Sequence, residues 1–145
     1  MRYIRWDPAL ETGYSQVDEQ HKELYALVND LNAAALVGAS DVQIGHILSR
    51  ILRYASTHFE TEQALMELTD YPAAPDHIAI HSDFARTAQS LAEAYGAGHG
   101  KTVLELATFM QDWLETHIQS QDHPLIVHVR VWFEENPSLT REAEA

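Results

Sequence analysis

Four stretches of this chain carry apolar residues at helical spacing, and each is interrupted on its apolar side by histidine or a carboxylate. Leu24, Leu27, Val28 and Leu31 form one stripe, preceded by His21. Ile44, Ile47, Leu48, Ile51, Leu52, Ala55, Phe59, Leu65 and Met66 form a second, with His58 and Glu62 inside it. His77 and His81 open a third, continued by Phe84, Ala88, Leu91 and Tyr95. Val103, Leu106, Met110 and Trp113 form the fourth, which runs on to His117. Steps of three and four place residues on one face of a helix. Four helices with one apolar face each must bury those faces against one another. The same burial takes the imidazoles and carboxylates out of water, which is costly unless they are paired or ligated.

Turn signals set the boundaries. Asp18 reads as the N-cap of a first helix reaching about Val37. Residues 38–41 form a turn with a new cap, and the second helix runs from about Val42 to about Thr69, ahead of Tyr71-Pro72 and Pro75. The third holds His77 to Tyr95 and closes in the glycines at 96–100; the fourth starts near Thr102 and ends near Asp122, because Pro124 follows. The short connections predict an all-α fold, an up-down-up-down antiparallel four-helix bundle. The whole chain, 1–145, reads as one domain: an N-terminal arm at 1–17 anchored by Tyr3 and Trp6, the bundle at 18–123, and a C-terminal extension at 124–145. Residues 125–133 are strongly apolar and β-branched (Ile126, Val127, Val129, Val131, Trp132, Phe133). They predict a short helix or strand over the bundle end, or a surface for a protein partner or self-association. The last eight residues are expected to fray.

Composition removes several functional classes. A formal charge of −13 leaves no basic face for nucleic acid and disfavours anionic lipid. Cysteine is absent, so a bound metal must take nitrogen and oxygen ligands. No run reaches the length of a transmembrane helix, and residues 1–8 hold no apolar signal core, so a cytoplasmic setting is expected.

The polar residues inside the stripes have a shared use. His58 and Glu62, and again His77 and His81, stand four apart, so each pair shares a helix face. His21, His117 and Asp122 complete a set of seven. Asp122 is the awkward member, because five residues turn an α-helix to about 140° from His117. It reaches the others only if the last turn distorts or if it approaches from the helix end. Five imidazoles and two carboxylates are too many for one tetrahedral zinc. They suit two ions bridged by both carboxylates and an oxo or hydroxo group, with three histidines on one ion and two on the other. The second ion then keeps an open position, where O2 would bind. Imidazole and carboxylate favour iron, though ligand type alone also admits manganese or zinc. His46, His99, His123 and His128 have no stripe partner and read as surface residues or neighbours of the site.

These residues resemble the hemerythrin family, and within it the single-domain bacteriohemerythrins. The resemblance is carried by Trp6 with Gly13, by Val17-Asp18-Glu19-Gln20-His21-Lys22-Glu23-Leu24, by His58-Phe59-Glu60-Thr61-Glu62, by Tyr71-Pro72 with His77-Ile78-Ala79-Ile80-His81 and Phe84, and by Trp113-Leu114-Glu115-Thr116-His117-Ile118 with Asp122. It spans about residues 6 to 122 in order. It implies that His77, His81 and His117 hold a six-coordinate iron, that His21 and His58 hold the five-coordinate iron, and that Glu62 and Asp122 bridge. It implies reversible O2 binding as a hydroperoxide, for storage, delivery or scavenging, in a protein that is not an enzyme. Leu24, Ile51, Ala55, Phe59, Trp113 and Ile118 would form the O2 pocket, with Phe84 and Met110 in the same apolar shell. The alternatives are an O2 or redox sensor acting through a partner, and a di-iron oxidase, peroxidase or nitric-oxide-handling protein. Histidine-rich ligation weighs against the oxidase class, whose ferritin-like sites use more carboxylates. The chain departs from the family after Asp122, where His123-Pro124 and the apolar tail replace a longer charged helix, and at Tyr14, where many members have an aliphatic residue.

Overall fold

The chain folds as α1 (Ser15–Leu36), α2 (Asp41–Thr69), α3 (Ala74–Gly96), α4 (Thr102–His117) and α5 (His123–Glu135) in a computed structural model that describes residues 5–96 and 102–139. A π-helical turn, Ile118–Asp122, joins α4 to α5, and single 3-10 turns occupy Pro8–Leu10 and Pro137–Leu139. Tyr3, the turn at 97–100 with His99, and most of the expected fraying tail lie outside the described residues. Among the described residues there is no strand, and no helix is long and apolar enough to cross a membrane. α1 and α3 each pack on both α2 and α4, which closes the four helices into the expected bundle.

Local chemistry explains both ends of α2 and the start of α3. Ser40 caps α2 with a reciprocal box: Gln43 N–H donates to its hydroxyl at 3.2 Å, and Ser40 N–H donates to Gln43 Oε1 at 3.0 Å. Asp70 ends α2 in the left-handed region, φ 51°. Pro75 sits in the first turn of α3 rather than outside it, a position where a missing N–H breaks no helical bond.

Two expectations are corrected. Asp18 is not the cap of α1: the helix starts at Ser15, with Tyr14 as N-cap and no side-chain capping bond. The Asp18 carboxylate reaches back instead to the arm, accepting from Thr12 N at 2.8 Å, Thr12 Oγ1 at 2.7 Å and Gly13 N at 3.0 Å. Gly13, with φ 86°, lets the chain reverse there; it is also where Arg130 comes against the arm. The fourth helical rod does not end near Asp122. It widens into the π turn, where His123 N–H donates to Ile118 O, and runs on through Pro124 as α5. Pro124 lies in the first turn of α5, so its ring and its lost donor coincide with the wider turn instead of breaking a regular one.

The continuation decides what the apolar tail does. Leu125, Ile126, Val129 and Phe133 line one face of α5 and pack against Tyr14, Val17, Leu65 and Met66 in a compact core. Val127 and Val131 remain exposed on the outer face. A larger core fills the other part of the bundle, from Leu24, Leu27, Leu31, Ile51, Phe59, Phe84, Leu106 and Met110 to Ile118. Each such side chain contributes about 1.5–3 kcal/mol on burial. Every helix that crosses from one core to the other carries its polar residues at the crossing: His21 lies between Val17 and Leu24, Glu62 between Phe59 and Leu65, and Asp122 between Ile118 and Leu125.

Candidate metal centre

All seven polar residues singled out in the stripes meet in that layer, and all are at most 3% exposed. α1 supplies His21, α2 supplies His58 and Glu62, α3 supplies His77 and His81, and the α4–α5 rod supplies His117 and Asp122. Their ligand atoms fall into two overlapping groups, each within 4.8 Å: Glu62, His77, His81, His117 and Asp122 in one, His21, His58, Glu62 and Asp122 in the other. The two carboxylates belong to both groups. Asp122 spans them with separate oxygens: Oδ2 lies 2.7 Å from His21 Nε2, and Oδ1 lies 2.9 Å from His117 Nε2 and 3.2 Å from His77 Nε2. Glu62 Oε1 is 3.1 Å from both His58 Nε2 and His81 Nε2.

The π turn is what admits Asp122. An α-helical step of five would leave it about 140° from His117. One extra residue in the turn brings the step of five close to a full revolution, so both side chains face the layer.

The donor set fits cations better than it fits itself. Glu62 Oε1 and Oε2, Asp122 Oδ1 and His77 Nε2 are buried without an aligned hydrogen bond. His21 Nε2 faces His58 Nε2 at 3.2 Å, and His81 Nε2 faces His117 Nε2 at the same distance. Nitrogen lone pairs that converge on oxygens and on one another need positive charge between them. In the metal-free chain protons meet part of that need. Burial pulls His58 down, but Glu62 and Asp122 outweigh it and raise the ring to about 9. His77 is likewise lowered by burial and raised by its contacts with Asp122 and Glu62 to about 9. Burial and the Asp122 charge push Glu62 up, and the His58 charge with the His117 contact holds it below the carboxylate range. Burial also raises Asp122, while Glu62, His117 and His21 hold it well below its ordinary value. His81 is the exception: burial lowers it, and Glu62 does not restore it against His117 and His77.

Aromatic rings wall the layer. Phe59 stacks on His81 with centroids 3.9 Å apart, Trp113 stacks on His117 at 4.2 Å, and Phe84 stacks on Trp113 at 4.2 Å. Trp6 of the arm lies 6.5 Å from His21 and edge-on to Tyr25. Above the layer is an apolar cavity of about 10 Å³. Leu24, Ile51, Ala55, Phe59 and Trp113 line it, as do Phe84 and Met110; Ile118 is fully buried in the same core but does not face the cavity. Val28 and Leu114 also line it. Both occupy stripe positions of their helices, which is the signal that marks them in the sequence.

Of the remaining histidines, His46 is exposed on α2. His123 Nε2 lies 3.2 Å from Leu10 O, which ties the arm to the rod, and His128 Nε2 lies 2.8 Å from Thr69 O, which ties α5 to the end of α2. Neither reaches the layer. One residue that does bear on it went unread in the sequence: Gln20, whose Oε1 lies 2.8 Å from His58 Nδ1.

A family model described as "Hemerythrin HHE cation binding domain" matches residues 12–127. The chain is 29% identical to a bacteriohemerythrin of Pseudomonas aeruginosa (strain PAO1) over 130 residues, 90% of this chain and 84% of the relative. It is 27% identical over 122 residues to a bacteriohemerythrin of Stenotrophomonas maltophilia (strain R551-3), covering 84% and 78% of the two chains. It is 26% identical over 118 residues to a myohemerythrin of Theromyzon tessulatum, covering 81% and 87%.

Proposed function

The chain belongs to the hemerythrin family, and on that premise we propose that it binds O2 reversibly at two iron ions held in the layer between its two cores. The observation that carries this reading is the pair of overlapping ligand groups. His77, His81 and His117 gather on one side, His21 and His58 on the other, and Glu62 and Asp122 are common to both. His77, His81 and His117, with the two shared carboxylates, would hold one iron. His21 and His58, with the same two carboxylates, would hold the other with one fewer protein donor. The iron pair supplies the two electrons that reversible O2 binding requires.

The rest is done by the chain. Glu62 and Asp122, common to both groups, would offset the positive charge of the bound iron. Phe59, Trp113 and Phe84 hold the rings of His81 and His117 in place by stacking. The small cavity beside Leu24, Ala55 and Phe59 is lined only by apolar side chains and offers water no polar partner. Excluding water and protons from the layer favours release of intact O2 over loss of the reduced state. Carriage for storage, delivery or scavenging, without turnover of a substrate, is the role this supports.

The test is optical. O2 is added to anaerobically reduced, iron-loaded protein and the visible spectrum followed. A charge-transfer band that appears with O2 and disappears on deoxygenation supports carriage. Immediate conversion to the oxidised form with no reversible band overturns it, as does metal analysis giving a single zinc per chain.

A further inference from the structure

Of the five histidines in the layer, His58 alone has its outer nitrogen engaged. The Nδ1 atoms of His21, His77, His81 and His117 are buried without a hydrogen-bond partner. His58 Nδ1 lies 2.8 Å from Gln20 Oε1. Gln20 is itself buried, and its Nε2 donates to Thr61 Oγ1 at 2.9 Å. Thr61 spends its own proton on Thr57 O, 3.2 Å away in the preceding turn of α2.

The chain of bonds leaves no freedom in the assignment of protons. Thr61 donates to a carbonyl, so its oxygen accepts from the Gln20 amide group. The amide nitrogen therefore faces Thr61, and the amide oxygen faces His58. An amide oxygen only accepts, so His58 must carry its proton on Nδ1. When the ring is neutral, its Nε2 lone pair then points into the layer, in the one tautomer that can ligate a cation there. The acceptor is neutral, so it orients the ring without giving it the extra basicity a carboxylate would.

We propose that Gln20, clamped by Thr61, is the positioning residue that fixes the tautomer and orientation of His58, and thereby the affinity and electronic character of the ion on the His21–His58 side. This rests on the ligand reading given above. It also explains why α1 places two polar residues side by side, Gln20 and His21: one is turned to the ion and the other holds the facing ligand from the neighbouring helix.

Three variants test it: Gln20→Leu, which keeps bulk and removes the acceptor; Gln20→Glu, which keeps an acceptor and adds charge; and Thr61→Val, which removes the clamp. The unaltered chain loaded with Zn(II), a diamagnetic probe, should bind two ions and show a slowly exchanging His58 Nδ1–H proton by NMR. Gln20→Leu should lose that proton signal and weaken one of the two zinc sites about 10–100-fold, leaving the other site unchanged. Gln20→Glu should keep the signal and the affinity, but lower the reduction potential of the iron-loaded protein relative to the unaltered chain. A role in packing alone would not produce that shift. Thr61→Val, at a partly exposed position, should broaden the same proton signal in a chain whose helical content is unchanged, and it carries the test if Gln20→Leu does not fold. An unchanged His58 signal and unchanged zinc affinity in either folded variant overturn the proposal while leaving the ligand reading intact. Absence of zinc binding by the unaltered chain overturns both.

Discussion

His117 and Asp122 stand five residues apart in one helical rod, yet His117 Nε2 and Asp122 Oδ1 lie 2.9 Å apart. Only the π turn between them makes this possible, and the same turn sets the direction in which α5 leaves. Asp122 therefore depends on two things at once: the wide turn that points it inward, and the packing of Leu125, Ile126, Val129 and Phe133 that holds the turn in place.

Removing the carboxylate should separate these roles. Asp122→Asn keeps the side-chain volume and removes the charge shared by both ligand groups. On the two-ion reading proposed above, metal analysis after loading and desalting is expected to fall from two ions per chain to one or none. His46→Ala, on the exposed face of α2, serves as the control and should retain both.

Loading should release protons. In the metal-free chain His58 and His77 are raised from 6.5 to about 9, so both rings are largely protonated at pH 7. A cation needs their lone pairs, so each ring gives up its proton on binding. Calorimetry at pH 7 in buffers of different ionisation heat should register this release, and apparent affinity should fall as pH is lowered from 9 to 6. The sign reverses for the stability of the metal-free chain. The contribution of these two raised groups is fully present below 6.5 and is lost as pH rises through about 9. Chemical unfolding of the metal-free chain at pH 6 and at pH 10 should therefore give the lower midpoint at pH 10.

Phe59 joins the wall of the layer to the cavity. It stacks on His81 and meets Phe84 and Trp113 edge-on. Phe59→Ala is expected to destabilise the fold by about 3–5 kcal/mol, the range for a buried aromatic cut to alanine. The enlarged cavity would also open the centre to water, so the reduced iron form should lose its electrons faster in air. Denaturant unfolding and the rate of spectral decay under O2 measure the two effects.

One carboxylate ties the arm to α1. Asp18→Ala removes the three bonds to Thr12 and Gly13 and should cost about 1.5–3 kcal/mol, the range for hydrogen bonds to a charged group. Trp6, packed near His21 and Tyr25, should then become more accessible, read as a red shift and stronger quenching of its fluorescence.

The sequence made the bundle legible because its stripes repeat at steps of three and four, and made the seven polar residues legible because they break those stripes. It hid what depends on an irregular backbone. Pro124 reads as a stop, and only a wider turn turns it into a passage. Asp18 reads as a cap because it precedes a helical run, yet its carboxylate serves residues on its N-terminal side. Gln20 was hidden by its neighbour: His21 claims the stripe position between Val17 and Leu24, although Gln20 meets the spacing equally well. A buried amide at a stripe position needs a partner as much as an imidazole does, but that partner, Thr61, stands 41 residues away in sequence.

The polar layer lies where an ordinary bundle would continue its hydrocarbon packing, with an apolar core on either side. The molecule is thus a larger and a smaller oily core joined through a charged waist. Emptied of metal, the waist holds acids and bases that only protons reconcile, and the two cores share the helices but not a continuous interior. Amide hydrogens around the waist should therefore exchange faster in the metal-free chain than in the metal-loaded one, so the middle of the helices, and not only their ends, reports whether the centre is filled.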